Sequence, residues 1–265
     1  MVKKCLSNFN HLLFHKLVTL AALFLIMNQT LLKVQNLSAG YGGSEVLNLL
    51  SFDLHRGEVL ALVGRNGAGK STTFKAIMGM LTQCTGQIEF MGQTINQLPP
   101  YKIAQLGLAY VPEDRRLFTD LTVLENLQVG QQAARFWSNG DAAPAWTLAK
   151  INQLFPNLAT MQNRTAGQMS GGEQKMLSVA RSLMGNPYLI MLDEPSEGVA
   201  PIIVEQMAEL IKNLKKQGLT ILLSEQNMFF AQELADSAIL LDKGQISFKG
   251  SLADLEQHHT LKTTN

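Results

Sequence analysis

The chain has 265 residues, 46% of them apolar and 16% charged, ordinary values for one large globular domain or two small ones with a real core. A formal net charge of +1 argues against nucleic acid as the main partner, because binding a phosphate backbone needs a clear basic excess. Cys5 and Cys84 make neither a disulfide framework nor a zinc spacing, so reduced thiols in a cytosolic protein are the simplest reading.

At the N-terminus, Lys3 and Lys4 precede an apolar run from Leu17 to Met27. The run is too short to span a hydrocarbon core, which needs about 20 residues. His15 and Lys16 block its extension backward, Asn28 and Gln29 block it forward, and no small-residue cleavage site follows. Met27-Asn28-Gln29-Thr30 reads as the start of the protein, with residues 1–26 an upstream extension of the reading frame. A short interfacial anchor is the alternative.

From about Leu31 the pattern settles. Leu32 to Leu37 alternates and Val46 to Leu54 is rich in apolar residues, so both predict strands, with a turn at Gly40-Tyr41-Gly42-Gly43-Ser44. Glu58 to Val63 reads as a short buried strand running into a glycine loop, and Lys70 to Met80 as a helix. Strands are expected at 86–90 and 108–111, with a short helix at 99–105 before the second. Between about 114 and 168 the character changes: helical stretches around 123–129 and 146–155 are broken by Asn139-Gly140 and Pro156. This reads as a helical subdomain inserted into an α/β core. Then come helix 171–185, strand 188–193, helix 201–216, strand 219–224, a helix from Asn227, and closing strands 237–241 and 245–249. In helix 201–216, Ile203, Met207, Leu210, Ile211 and Leu214 share one face, as a helix packed on a sheet requires. Alternating strands and helices predict a largely parallel sheet covered on both sides.

Gly64-Arg65-Asn66-Gly67-Ala68-Gly69-Lys70-Ser71, followed by Thr72, has the spacing of a phosphate loop at every fixed position. Its glycines let successive N–H groups point inward at phosphate oxygens, and it opens a helix whose N-terminal dipole favours anions. Lys70 would reach the β- and γ-phosphates of ATP, and the Ser71 hydroxyl would ligate Mg2+. Leu189-Ile-Met-Leu-Asp193-Glu194 is an apolar strand ending in two acids, which needs a reason because desolvating lone carboxylates is costly. At the carboxyl end of a strand, where ligands gather in α/β sheets, Asp193 would hold Mg2+ and Glu194 would take a proton from the attacking water. Ser170-Gly171-Gly172-Glu173 has the spacing of a helix capping box. Two glycines in a first turn serve capping poorly but suit close approach of bare backbone to an anion. The chain would then have two anion-binding helix ends, which one triphosphate can use if two subunits face each other head to tail.

Met169-Ser-Gly-Gly-Glu-Gln174 resembles the signature motif of the ATP-binding-cassette (ABC) ATPases; with the phosphate loop and the Asp193-Glu194 strand end, the resemblance covers about residues 31–255. It implies a P-loop α/β fold with a mainly parallel sheet, an antiparallel β subdomain and the helical insertion, as an ATPase domain over 27–258 with a tail at 259–265. It implies a sandwich dimer in which Ser170, Gly171 and Gly172 complete the partner's nucleotide site and Tyr41 stacks on adenine. Ser196 to Pro201 resembles the dimer-contact loop. Two positions depart from the family pattern. After Val111-Pro112, Glu113 stands where glutamine is usual, a residue that contacts magnesium and the water. After Ser224-Glu225, Gln226 stands where a switch histidine is usual, and the chain's histidines (His11, His15, His55, His258, His259) are all elsewhere. An amide can still donate to the γ-phosphate but cannot carry charge.

Val-Pro-Glu-x-Arg-Arg, Glu225-Gln-Asn and Asp193-Glu-Pro-Ser-Glu-Gly-Val-Ala-Pro are similar to one of the two ATPase subunits of branched-chain amino acid importers, although Val199 replaces the usual leucine. That resemblance implies a second ATPase subunit, alike or different, two membrane-spanning permeases, a periplasmic binding protein, and a peripheral place on the cytoplasmic face of the inner membrane. Urea, short amides or another amino acid as cargo, or a soluble cassette ATPase acting on nucleic acid or ribosomes, are the other readings.

Overall fold

The computed structural model describes residues 29–255; the readings of 1–26 as an extension and of 259–265 as a tail lie outside the described residues. Strands β1 (Thr30–Tyr41) and β2 (Ser44–His55) form an antiparallel hairpin. The strands run further than the alternating pattern suggests, and the turn narrows to Gly42 and Gly43, both at positive φ where L side chains are strained. After β3 (Val59–Val63) and helix α1 (Lys70–Ile77), β4 (Gln83–Phe90) pairs with β1 and carries the two-residue β5 (Gln93–Thr94), giving a four-stranded antiparallel sheet in the order β2-β1-β4-β5. Helix α1 stops three residues short of the predicted Met80 because Gly79, at φ +65, lets the chain turn away.

The larger sheet adds β6 (Leu108–Val111) after helix α2 (Pro100–Gln105), β7 (Leu189–Asp193), β8 (Thr220–Glu225), β9 (Ser237–Asp242) and β10 (Gln245–Gly250). Its order is β10-β9-β3-β8-β7-β6, parallel throughout except for β10. Every residue of β3, β7 and β8 is buried, as a parallel sheet covered on both faces requires. Alternate residues serve two cores. Leu189, Met191 and Leu222 pack with Phe52, Phe74 and Phe90 toward the antiparallel sheet. Ile190, Leu192, Ile221 and Leu223 pack on the other face against helices α6 (Gly171–Leu183) and α7 (Pro201–Lys216).

The segment 114–168 holds α3 (Val123–Val129), α4 (Leu148–Leu154), α5 (Pro156–Thr160) and a 3-10 turn at Ala166–Gln168. Helix α4 begins two residues later than the apolar pattern predicts. Thr147 caps it, its hydroxyl accepting from the Lys150 N–H, while Trp146 is buried outside the helix with its main-chain N–H donating to Asn186 Oδ1 at 2.6 Å. Helix α8 (Met228–Leu234), capped by Asn227, follows β8.

Candidate active site

Three strand ends and one loop converge. Backbone pairing puts Asp193 of β7 beside Ser224 of β8, and β3 delivers Gly64 against Glu225, its N–H donating to the Glu225 carbonyl. The loop 64–69 therefore curls over the carboxyl ends of β7 and β8. Gly69 has φ +108, and a Cβ there would lie 2.6 Å from Leu47 Cδ2, so glycine is required both for the turn and for the approach of β2. Lys70 is buried, and its ammonium donates to the carbonyls of Gly64 (2.8 Å) and Arg65 (3.1 Å).

Asp193 is buried and accepts from three hydroxyls: Ser71 (3.1 Å), Ser224 (2.5 Å) and Tyr110 (2.9 Å). Burial, then the Asp193 charge, pushes the Tyr110 phenol well above its ordinary range, so it stays a donor. Glu194 follows at φ +47, a conformation uncommon outside glycine, and its N–H donates to the carbonyl and hydroxyl oxygens of Ser224. Its carboxylate lies 3.0 Å from Lys70 Nζ. Burial opposes ionisation of Glu194, but hydrogen bonds from Glu197 and Lys70, with the charges of Lys70 and Lys175, hold it below the ordinary carboxylate value. Glu197, which shares that hydrogen bond and is repelled by Glu194, is pushed up to about 7. The two carboxyls are thus pushed in opposite directions, Glu194 toward the ionised form and Glu197 toward the protonated one.

A cleft of about 320 Å³ lies over the loop, lined by Asn66, Gly67, Gly69, Lys70, Ser71 and Thr72 from below and by Glu113, Glu194 and Glu197 from the side. Glu113 is exposed at its edge, on the chain leaving β6. Gln226 is exposed and lines a neighbouring hollow with Ser196, Glu197, Glu225 and Asn227, so Glu197 borders both. Tyr41 lies half-exposed at the tip of the β1–β2 hairpin and is not part of the cleft lining, to which β2 contributes Val46.

Ser170, Gly171 and Gly172 open α6 and do not line this cleft either. The capping box forms as its spacing predicts: the Ser170 N–H donates to Glu173 Oε2 at 2.7 Å and the Glu173 N–H to Ser170 Oγ at 3.3 Å. The glycines also have a reason within the chain. A Cβ on Gly171 would stand 3.1 Å from the Arg115 guanidinium, and one on Gly172 only 2.7 Å from Ile203 Cγ1.

Spacing alone missed Tyr110, Ser224, Glu197 and Lys175. Ser224 and Glu225 could have been found by the argument applied to Asp193, since they too close an apolar strand. Lys175 stands four residues before Val179 and eight before Leu183, all three buried, and that break in an apolar stripe was its signal.

A phosphate loop opening a helix, facing an acid pair at the end of a parallel strand two places along the sheet, with β8 between, defines a P-loop nucleoside triphosphatase. The chain belongs to the ABC transporter family, whose profile matches residues 47–197, and is therefore a nucleotide-binding ATPase domain of a kind that drives transport. It is 41% identical over 216 residues to the high-affinity branched-chain amino acid transport ATP-binding protein BraG of Pseudomonas aeruginosa, covering 82% of this chain and 91% of that one. It is 37% identical over 232 residues to the probable branched-chain amino acid transport ATP-binding protein LivF of Archaeoglobus fulgidus, covering 86% and 95%. Among solved structures, the ADP conformation of an ATP-binding cassette of an ABC transporter superposes with a TM-score of 0.70 at 26% identity, covering 84% of this chain and 92% of that one. Among the described residues no helix is long and apolar enough to cross a membrane.

Proposed function

We propose that this chain is the ATP-hydrolysing subunit of an importer of branched-chain amino acids, acting at the cytoplasmic face of the inner membrane. The observation that carries the chemistry is the contact of Ser71 with Asp193 beside the Lys70–Glu194 pair. The two oxygen groups, 3.1 Å apart at the mouth of the loop, are the hard donors that magnesium takes, with Glu113 within reach of the same cleft. Bound magnesium would neutralise charge on the β- and γ-phosphates. Lys70 would turn from Glu194 to those phosphates, leaving Glu194 to take a proton from the attacking water. The Gln226 amide would donate to the γ-phosphate from the next strand end. Ser170, Gly171 and Gly172 of a second ABC ATPase subunit, the same chain or another, would close the site from the far side, and Tyr41 would stack on adenine.

Coupling to permeases is supported by a cleft of about 590 Å³ bordered by Met80, Tyr101, Phe118 and Val129. These are four of the large apolar side chains left exposed, and such a concentration marks a protein contact. Cargo rests on the similarity to BraG and LivF, and on that reading a periplasmic binding protein feeds the permeases. The test is a pull-down of the tagged chain from membranes with mass spectrometry, followed by uptake of labelled leucine, urea and short amides. Two permeases, a second ATPase and leucine uptake that requires this chain are expected. A chain that stays soluble when its permeases are co-expressed rejects the transport reading, and uptake of urea or amides instead rejects only the cargo.

A further inference from the structure

We infer that Lys175 is a positioning residue: from the second turn of α6 it fixes the peptide of Glu194 and so sets where that carboxylate points. The inference rests on the proposed role of Glu194 as the proton acceptor. Lys175 is 2% exposed, and its ammonium donates to the Glu194 carbonyl at 2.7 Å. Lysine is almost never fully buried unless paired, and an aliphatic residue would fill the same apolar stripe without a desolvation cost. A buried ammonium spent on one main-chain carbonyl therefore points to that carbonyl as the purpose.

Glu194 needs such a hold. Its left-handed backbone persists only where surroundings over-determine it. Ser224 secures the N–H side of the residue and Lys175 the carbonyl side. The same helix also moors the chain that carries Glu113: Ser178 Oγ donates to the Arg115 carbonyl at 2.9 Å and Arg181 to the Arg116 carbonyl at 2.7 Å. Helix α6 begins at Gly171, one turn before Lys175. Lys175 thus ties the helix that opens with Ser170-Gly171-Gly172 to Glu194 in the chain's own cleft.

The experiment compares kcat and MgATP affinity in the membrane complex recovered with the full chain. Lys175→Met keeps the stem and removes the donor, and its kcat is expected to fall by about 10- to 100-fold with ATP affinity unchanged, the size of effect that misplacing a reacting group produces. Lys175→Gln, whose amide can still donate to a carbonyl, is expected to recover turnover. Wild-type kcat in Lys175→Met, affinity that falls in parallel with kcat, or no recovery in Lys175→Gln each overturns the inference. If Lys175→Met does not fold, Lys175→Asn, polar but too short to reach Glu194, takes its place with the same outcomes. Glu194→Gln runs alongside. Turnover surviving there overturns the base reading and this inference with it. An inactive Glu194→Gln beside a wild-type Lys175→Met overturns this inference alone.

Discussion

Lys70 Nζ stands 3.0 Å from Glu194 Oε1, with both side chains almost wholly removed from solvent. The remaining hydrogen bonds of the lysine go to the carbonyls of Gly64 and Arg65, so its ammonium is committed within the loop. A buried ammonium and a buried carboxylate are tolerable only together, because each alone keeps its desolvation cost. In the proposed mechanism an arriving γ-phosphate would compete with Glu194 for the same cation, and binding and preparation of the proton acceptor would be one exchange of partners.

Lys70→Ala breaks that pair. Leaving the Glu194 carboxylate buried without its cation is expected to cost about 3 kcal/mol of stability. Nucleotide binding is expected to vanish at concentrations that saturate the native chain. Chemical denaturation and equilibrium binding of ATP check both, and native-like ATP affinity would remove Lys70 from the phosphate site.

Glu194→Gln separates the two functions. The amide keeps the shape and can still accept from Lys70, but it cannot take a proton. ATP binding is expected to persist while turnover falls by about 100- to 10,000-fold, the usual worth of a positioned acid or base. Single-turnover hydrolysis in the assembled transporter measures it, and unchanged hydrolysis rejects Glu194 as the acceptor.

These residues were legible in the sequence because their signals are local: a loop spacing, two acids closing an apolar strand, a serine three residues before a glutamate. The contacts of Tyr110 and Ser224 with Asp193 were not. They arise only because β6 and β8 flank β7 in the sheet, a pairing that no local pattern states. The start of α4 differs for a similar reason, since the main chain at Trp146 is held by Asn186, 40 residues on. The parallel core was readable from its short unbroken apolar runs, whereas the hairpin ends were not, because strand length there is set by cross-strand partners.

Gln226→His tests whether the missing switch charge limits the rate. Gln226 lies exposed beside Glu197 and next to Glu225, an acidic setting that favours imidazolium. Turnover in the assembled transporter is expected to rise severalfold, most at the acid side of neutrality where the ring is charged. An unchanged rate would show that the native amide already suffices.

Glu225→Gln concerns stability rather than rate. Burial raises the Glu225 carboxyl above its ordinary value, although the N–H groups of Ser196 and Asn227 and the Ser196 hydroxyl pull the other way. A carboxyl whose folded value is raised binds more protons in the native than in the unfolded chain between the two values. Its contribution to stability is complete below about 4.3, the unfolded value, and declines as pH rises through the folded one. Glu225→Gln lacks this titration, so the melting temperature of the native chain should fall relative to the variant as pH is raised above that point. Parallel curves would show that Glu225 does not titrate differently in the fold.

Gly172→Ala decides what the signature glycine is for. Alanine improves helix propensity by about 1 kcal/mol, but its Cβ would stand 2.7 Å from Ile203 Cγ1, and overpacking of that kind costs about 1–3 kcal/mol. Net destabilisation is expected, with Ile203→Ala in the same chain relieving the clash, so the two changes should be strongly non-additive. If the glycine served packing alone, the double variant would regain turnover along with stability. The expected result is recovered stability with turnover still impaired, as the proposed approach of this bare helix end to the nucleotide of a facing subunit requires. Melting curves and ATPase rates of the two single variants and the double variant, assayed in the assembled transporter, separate the two roles.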